Sequence, residues 1–266
     1  MSTVVTENST DLPPPSFQAS HQYAFFFDVD GTLAEIQQNP GAVTIPETVR
    51  ANLQSLSAIC GGAVALVSGR PITQLDQLAS PLTLPMAGVH GAELRDAGGN
   101  VHRVQLPEDV AQPLQKMLEE KMSTLPGTLL EAKGMAFALH YRQAMEYQQQ
   151  VLELAETAVA RFPELALQPG KCVVEIKPQG IDKGAAIETF MQHAPFAGRI
   201  PVFVGDDLTD EKGFLTVNAV QGISVKVGDG AGHARYHLSQ VADVYDWLEK
   251  TLLQLKQDNA GKGSRL

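Results

Sequence analysis

The chain has 266 residues, 44% of them hydrophobic and 19% charged, and its 30 acidic against 20 basic side chains leave a formal net charge of −10. It is long enough for a substantial core and for two domains. Such an acidic balance argues against nucleic acid or an anionic membrane as partner, since both demand a basic face. An anionic small substrate remains compatible, because a metal or a few local cations can invert the field inside one pocket.

Cys60 and Cys172 are the only cysteines, far apart and each in an apolar stretch, which fits neither a disulfide framework nor a zinc spacing. No apolar run approaches a membrane span, and the N-terminus lacks a basic region followed by an apolar one. A cytoplasmic location is expected. Residues 1–22 read as a flexible polar leader and 257–266 as a frayed tail. No dimer surface is legible, so a monomer is expected.

In chain order, Tyr23–Asp28 predicts an inner strand, since three consecutive phenylalanines are costly to expose. A helix over Pro46–Ile59, a strand over Ala63–Val67, a helix after "SGRP" and a strand over Leu84–Val89 follow. Strand alternating with helix is the signature of a parallel sheet with right-handed crossovers. The rhythm then breaks: a hairpin turning at Asp96–Asn100, a helix over Glu108–Ser123, and two strands about Lys133–Gly134. A helix over Ala144–Phe162 and two strands about Pro169–Gly170 complete an antiparallel α+β unit. From Ile181 the parallel rhythm resumes with a helix over Asp182–Gln192, a strand over Pro201–Gly205, a helix over Asp210–Val217 and a strand over Gly222–Val227. An amphipathic helix over Ser239–Leu255 closes the chain. The expected organisation is an α/β core over 23–93 and 179–256, interrupted by a smaller cap over 94–178.

"DVDG" puts Asp28 and Asp30 two apart at the end of the first strand, so both carboxylates can converge where ligands bind open α/β sheets. On those four residues alone an ordinary turn is the commoner reading. The spacing does not fit an EF-hand, and no P-loop glycine–lysine motif occurs anywhere. Three further features change the balance. Ser68, Gly69 and Arg70 end the second strand, Asp206 and Asp207 end a later one with Asp210 a turn beyond, and Lys183 opens a helix. Each has a plain structural explanation: a helix cap, a complement to a helix dipole, a surface charge. Lys183 fits its own poorly, because a cation is unfavourable at a helix N-terminus unless an anion lies nearby.

Clustered carboxylates without His or Cys suit a hard cation such as Mg²⁺. A carboxylate facing a metal-bound phosphate can act as nucleophile, and a second can protonate the departing alkoxide and then activate water. Ser68 and Lys183 would hold the phosphoryl oxygens. "DVDGT", Ser68 in "VSGR", Lys183 and "GDD" resemble, in order, the four motifs of the haloacid dehalogenase superfamily of phosphatases. The resemblance implies a Rossmann-like core, Asp28 as nucleophile and Asp30 as general acid and base. It further implies Mg²⁺ held by Asp28, the Asp30 main-chain carbonyl and Asp206, with Asp207 and Asp210 in support.

The inserted segment would select the ester. Glu131 and Lys133 share one strand face, His140 and Arg142 follow, and Glu175 stands oddly in an apolar strand. A solvated outer sheet face explains Glu175 equally well. "GVHGAE", "EAKG", "HYR", "VEIKPQGIDKG" and "GDDLTDE" together resemble the trehalose-6-phosphate phosphatase family. That likeness implies a cap of the C2B type, a sugar phosphate substrate, Glu131, Lys133 and Glu175 on the glucose unit, His90, Gly91 and Arg142 lining the cleft, and Gly69 and Arg70 as further substrate contacts. Phosphatases of other sugar phosphates, a phosphomutase and a silent regulatory module are the alternatives. "GDGAGH" (Gly228–His233) lacks the spacing of a dinucleotide site and is expected to be a loop near the metal.

Overall fold

A computed structural model of the chain describes residues 12–17 and 22–263. The chain separates into two compact units, one of residues up to 101 together with 182 onward, the other of 102–181.

The first unit begins with β1 (Tyr23–Phe27), α1 (Glu47–Ile59), β2 (Val64–Val67), α2 (Ile72–Ala79), β3 (Met86–Gly88), β4 (Glu93–Arg95) and β5 (Val101–Arg103), whose last residues cross into the second unit. The second unit holds α3 (Glu108–Met122), β6 (Leu129–Ala132), β7 (Phe137–His140), α4 (Gln148–Arg161), β8 (Leu165–Gly170) and β9 (Val173–Pro178). The chain then returns through α5 (Lys183–Met191), β10 (Ile200–Gly205), α6 (Glu211–Ala219), β11 (Ile223–Val227), β12 (Tyr236–Leu238) and α7 (Val241–Gly263).

The large sheet runs β12-β11-β10-β1-β2-β3-β4-β5, parallel from β12 to β3. β1 is its centre: Phe25, Phe26 and Phe27 are fully buried, and Phe26 stacks on Phe196 with centroids 5.3 Å apart. Strands covered on both faces can be apolar throughout, as β1, β2 and β10 are. Strand order reverses between β1 and β10, and the crevice outside their carboxyl ends is where such sheets bind ligands. α1, α2 and α3 each begin directly after a proline (Pro46, Pro71, Pro107), whose fixed φ suits a helix start.

In the second unit the sheet order is β6-β7-β9-β8, antiparallel throughout. One face packs Phe137, Leu139, Val174 and Ile176 against Leu114 and Leu118 of α3 and Val151 and Ala155 of α4. Alternation therefore puts Glu131, Lys133, Glu175 and Lys177 on the opposite face.

Four expectations are corrected. Phe17, expected in a flexible leader, is 2% exposed and packs edge-on to Tyr23 and Trp247. Burying an aromatic of that size stabilises by about 1.5–3 kcal/mol, which anchors this position against the core. Residues 1–11 and 18–21 of that leader lie outside the described residues. The hairpin over 94–103, expected with the cap, forms β4 and β5 at the edge of the large sheet, β4 antiparallel to β3. The expected frayed tail continues α7 to Gly263, and residues 264–266 lie outside the described residues. Pro169 and Gly170 end β8, and the turn falls on Lys171 and Cys172, where Cys172 has φ +61°. Among the described residues no helix is long and apolar enough to cross a membrane.

Candidate active site

Asp28 is the first residue beyond β1, and its N–H still donates to the Val204 carbonyl at 2.9 Å. The chain then turns sharply: the Val29 carbonyl accepts from the N–H groups of Thr32, Leu33 and Ala34. Gly31 stands at φ +76°, and a Cβ there would fall inside the Asp206 carboxylate, so the turn admits only glycine. Asp28 is 5% exposed at the bottom of this turn.

Lys183 resolves its own anomaly. It is the first residue of α5, capped by Asp182, whose Oδ1 accepts from the Ala185 N–H at 2.9 Å. Its ammonium, 2% exposed, lies 3.0 Å from Asp28 Oδ1 and 2.6 Å from Asp210 Oδ1. The two carboxylates supply the anion that a lysine at a helix N-terminus needs. Burial works against its charge, yet Asp210 and then Asp28 outweigh it, and the Lys183 pKa is raised. Asp28 is raised well above the carboxylate range by burial first and by Asp210 next, with Lys183 opposing. Asp206 is pushed up to about 7 by burial and then by Asp210, against the pull of Lys183.

The acidic turn after β10 divides its labour. Asp210 is fully buried; its Oδ2 accepts from the N–H groups of Asp206 and Asp207 at 2.9 Å each, while Oδ1 takes Lys183. Asp207 is exposed and caps the short 3-10 turn Leu208–Asp210 through its Oδ1. One oxygen each of Asp28, Asp206 and Asp210 lies within 4.8 Å of the others. Asp206 Oδ1 is buried without a hydrogen-bond partner. A buried carboxylate oxygen left in that state, beside a second carboxylate, fits a hard divalent cation.

Ser68, 1% exposed beyond β2, accepts from the Arg70 N–H at 3.2 Å. Arg70 forks onto Asp30, with Nε 2.6 Å from Oδ2 and Nη2 2.7 Å from Oδ1, and so joins the loops after β1 and β2. His90 takes φ +57° in the turn Val89–Gly91, donates its N–H to the Ser68 carbonyl at 2.9 Å, and packs against Gly69, where a Cβ would meet the ring at 2.7 Å. Gly91 lies beside Ala186 and the Asp182 carbonyl of α5. These contacts bring Asp28, Asp30, Ser68, Gly69, Arg70, His90, Gly91, Lys183, Asp206 and Asp210 to the carboxyl ends of β1, β2, β3 and β10.

Glu131, Lys133, Arg142 and Glu175 belong to the second unit. Glu131, Ala138 and Glu175 are register partners across β6, β7 and β9. Glu175 is 7% exposed, and Lys133 Nζ lies 2.5 Å from its Oε1. Its charge is therefore a paired, buried one and not a solvated surface group. His140 Nε2 lies 2.9 Å from Glu131 Oε2, and Arg142, exposed, donates to the Lys171 carbonyl at 3.2 Å. Two roles escaped the sequence reading. Glu93 Oε2 accepts from the Ile72 N–H at 2.8 Å and caps α2, and Lys226 is buried in β11 against the Asp206 carbonyl. A charge inside the apolar run "ISVKV" was the available signal for the second.

Comparison with known proteins agrees with this architecture. The C-terminal domain of Candida albicans trehalose-6-phosphate phosphatase superimposes with a TM-score of 0.75 at 21% identity, over 89% of this chain and 93% of that one. A haloacid dehalogenase-like hydrolase from Bacteroides thetaiotaomicron superimposes with a TM-score of 0.65 at 15% identity, over 86% of this chain and 99% of that one. The fold is thus the Rossmann-like core with cap of the haloacid dehalogenase-like hydrolases. In sequence, the trehalose-6-phosphate phosphatase of Escherichia coli K12 is 51% identical over 257 residues, 96% of this chain and 95% of its own. A probable trehalose-phosphate phosphatase of Sinorhizobium fredii is 44% identical over 77% of this chain and 78% of its own. The family model for trehalose-phosphatase matches residues 26–242, and the chain belongs to that family of phosphatases.

Proposed function

We propose that this enzyme hydrolyses trehalose 6-phosphate to trehalose and inorganic phosphate, with Asp28 as nucleophile. The observation that carries the chemistry is the buried cluster in which Lys183 stands 3.0 Å from Asp28 beside the unpartnered Oδ1 of Asp206. The relatives' names support the choice of ester.

In this reading Asp28 attacks phosphorus and forms an aspartyl-phosphate as the ester bond breaks. Asp30 gives a proton to the departing sugar oxygen and later takes one from the water that cleaves the intermediate. Ser68 Oγ and the Lys183 ammonium donate to the phosphoryl oxygens, where charge accumulates. Arg70, expected on the substrate, is engaged by both oxygens of Asp30 and so aims that carboxylate. Asp28, Asp206 and the Asp30 main-chain carbonyl would hold Mg²⁺, whose charge offsets that of the phosphate. Asp207 and Asp210 support these ligands through the turn they shape. Glu131, Lys133 and Glu175 are proposed to recognise sugar hydroxyls, with His90, Gly91, Gly69 and Arg142 as further substrate contacts. A monomeric, cytoplasmic enzyme completes the reading.

Phosphate release from trehalose 6-phosphate, glucose 6-phosphate and sucrose 6-phosphate, with Mg²⁺ and with excess chelator, tests it. Metal-dependent release strongly favouring the first ester is expected. Preference for another ester would overturn the sugar assignment and leave Asp28 and Asp30 standing. Steady-state turnover by Asp28→Asn would refute the nucleophile.

A further inference from the structure

β11 is a buried strand with one charged side chain, Lys226, 7% exposed. An ammonium in such a place is costly unless it is paired and hydrogen-bonded. Its Nζ donates to the main-chain carbonyl of Asp206 at 3.0 Å and lies 4.0 Å from Glu211 Oε1. The other oxygen of Glu211 accepts from the His233 N–H at 2.8 Å and lies 2.7 Å from His233 Nδ1. Lys226, Glu211 and His233 thus tie the glycine-rich loop Gly228–His233 to the acidic turn.

The strand register explains why a lysine side chain does this. Gly205 opposite Lys226 is the last rung of the β10–β11 ladder. One residue on, the Asp206 carbonyl has left the ladder, and the side chain of Lys226 supplies the donor. Meanwhile the Asp206 N–H donates to Asp210 Oδ2 at 2.9 Å. The main chain of Asp206 is therefore fixed at both its polar groups, which directs a carboxylate whose Oδ1 has no partner.

We propose that Lys226 is a positioning residue for Asp206, holding that carboxylate ready for a divalent cation. The inference rests on the reading of Asp206 as a metal ligand. Two effects oppose each other here. The charge of Lys226 repels a cation, so by Coulomb's law alone its removal would tighten metal binding. Its hydrogen bond orients the ligand, and loss of such an outer contact weakens metal binding by about 10–100-fold. Orientation outweighs repulsion, because the ammonium is already engaged by the Asp206 carbonyl and faces the Glu211 carboxylate.

The sign of the change is the test. Mn²⁺ affinity is measured by calorimetry without substrate for the wild-type chain, Lys226→Met, Lys226→Arg, Lys226→Gln and Asp206→Asn, with unfolding curves for each. Binding about tenfold weaker in Lys226→Met, largely restored by arginine, is expected. Equal or tighter binding overturns the proposal. Should the methionine variant not fold, Lys226→Gln carries the test. Its amide nitrogen stands where lysine carries Cε, one bond short of the ammonium, so it gives up the hydrogen bond to the Asp206 carbonyl and keeps a polar group in β11. Weaker binding there supports positioning, and unchanged binding overturns it. Wild-type affinity in Asp206→Asn would instead overturn the metal assignment itself.

Discussion

The ammonium of Lys183 lies 3.0 Å from Asp28 Oδ1, and the two side chains are 2% and 7% exposed. A pair this buried gains little net stability over an apolar replacement, but breaking it strands a charge. Lys183→Met should leave Asp28 and Asp210 without their shared counter-ion. A stability loss of about 3–5 kcal/mol in urea unfolding is expected. So is a fall in turnover of at least about 100-fold. Unchanged stability would mean that the carboxylates do not depend on Lys183.

Stability of the metal-free protein should fall as pH rises toward neutrality. Asp206 is pushed up to about 7 and Asp28 is raised as well, in both cases mainly by burial. From the ordinary carboxylate range up to about 7 the folded chain therefore keeps protons that the unfolded chain has released. Stability then drops with rising pH across that window. A divalent cation must displace the same protons, so the stabilisation it confers should grow as pH rises. Melting temperatures with and without Mg²⁺, at about pH 5.5 and about pH 8, measure both trends. An equal increment at the two pH values would contradict the assignment of these carboxylates.

Lys133→Met should separate recognition from chemistry. It leaves Glu175, 10% exposed in its side chain, without the ammonium 2.5 Å away. Discrimination between trehalose 6-phosphate and glucose 6-phosphate should shrink by at least about tenfold in kcat/KM, while metal affinity stays at the wild-type value. Glu131→Ala is expected to act in the same direction. Normal turnover of trehalose 6-phosphate by both variants would remove these residues from the sugar assignment.

Phe17 offers a test far from the chemistry. Its ring lies 4.9 Å from Tyr23, 5.4 Å from Phe25 and 5.8 Å from Trp247, and its N–H donates to Gln254 Oε1 at 3.3 Å. Phe17→Ala should cost about 3–5 kcal/mol in chemical denaturation. Turnover well below the melting temperature should stay near the wild-type rate. A loss under about 1 kcal/mol would place this segment outside the cooperative core.

What the sequence determined by itself is what depends on neighbours along the chain. Strand–helix alternation marked the parallel sheet, three phenylalanines marked its central strand, and Asp28, Ser68, Lys183 and Asp206 could be placed because each stands at the end of an element. The period of two put Glu131 and Lys133 on one face of β6. Only the tertiary structure decided what those groups hold. Arg70 closes on Asp30 forty residues away. Asp210 serves Lys183 and two main-chain N–H groups. Lys226 reaches a carbonyl twenty residues back. Phe17 finds its pocket beside Trp247, and β4 and β5 join the large sheet, because aromatic surface and strand edges take whatever partner the fold brings near. Local pattern decides which way a side chain points; which charge or ring meets it is decided by contacts between residues that the sequence keeps far apart.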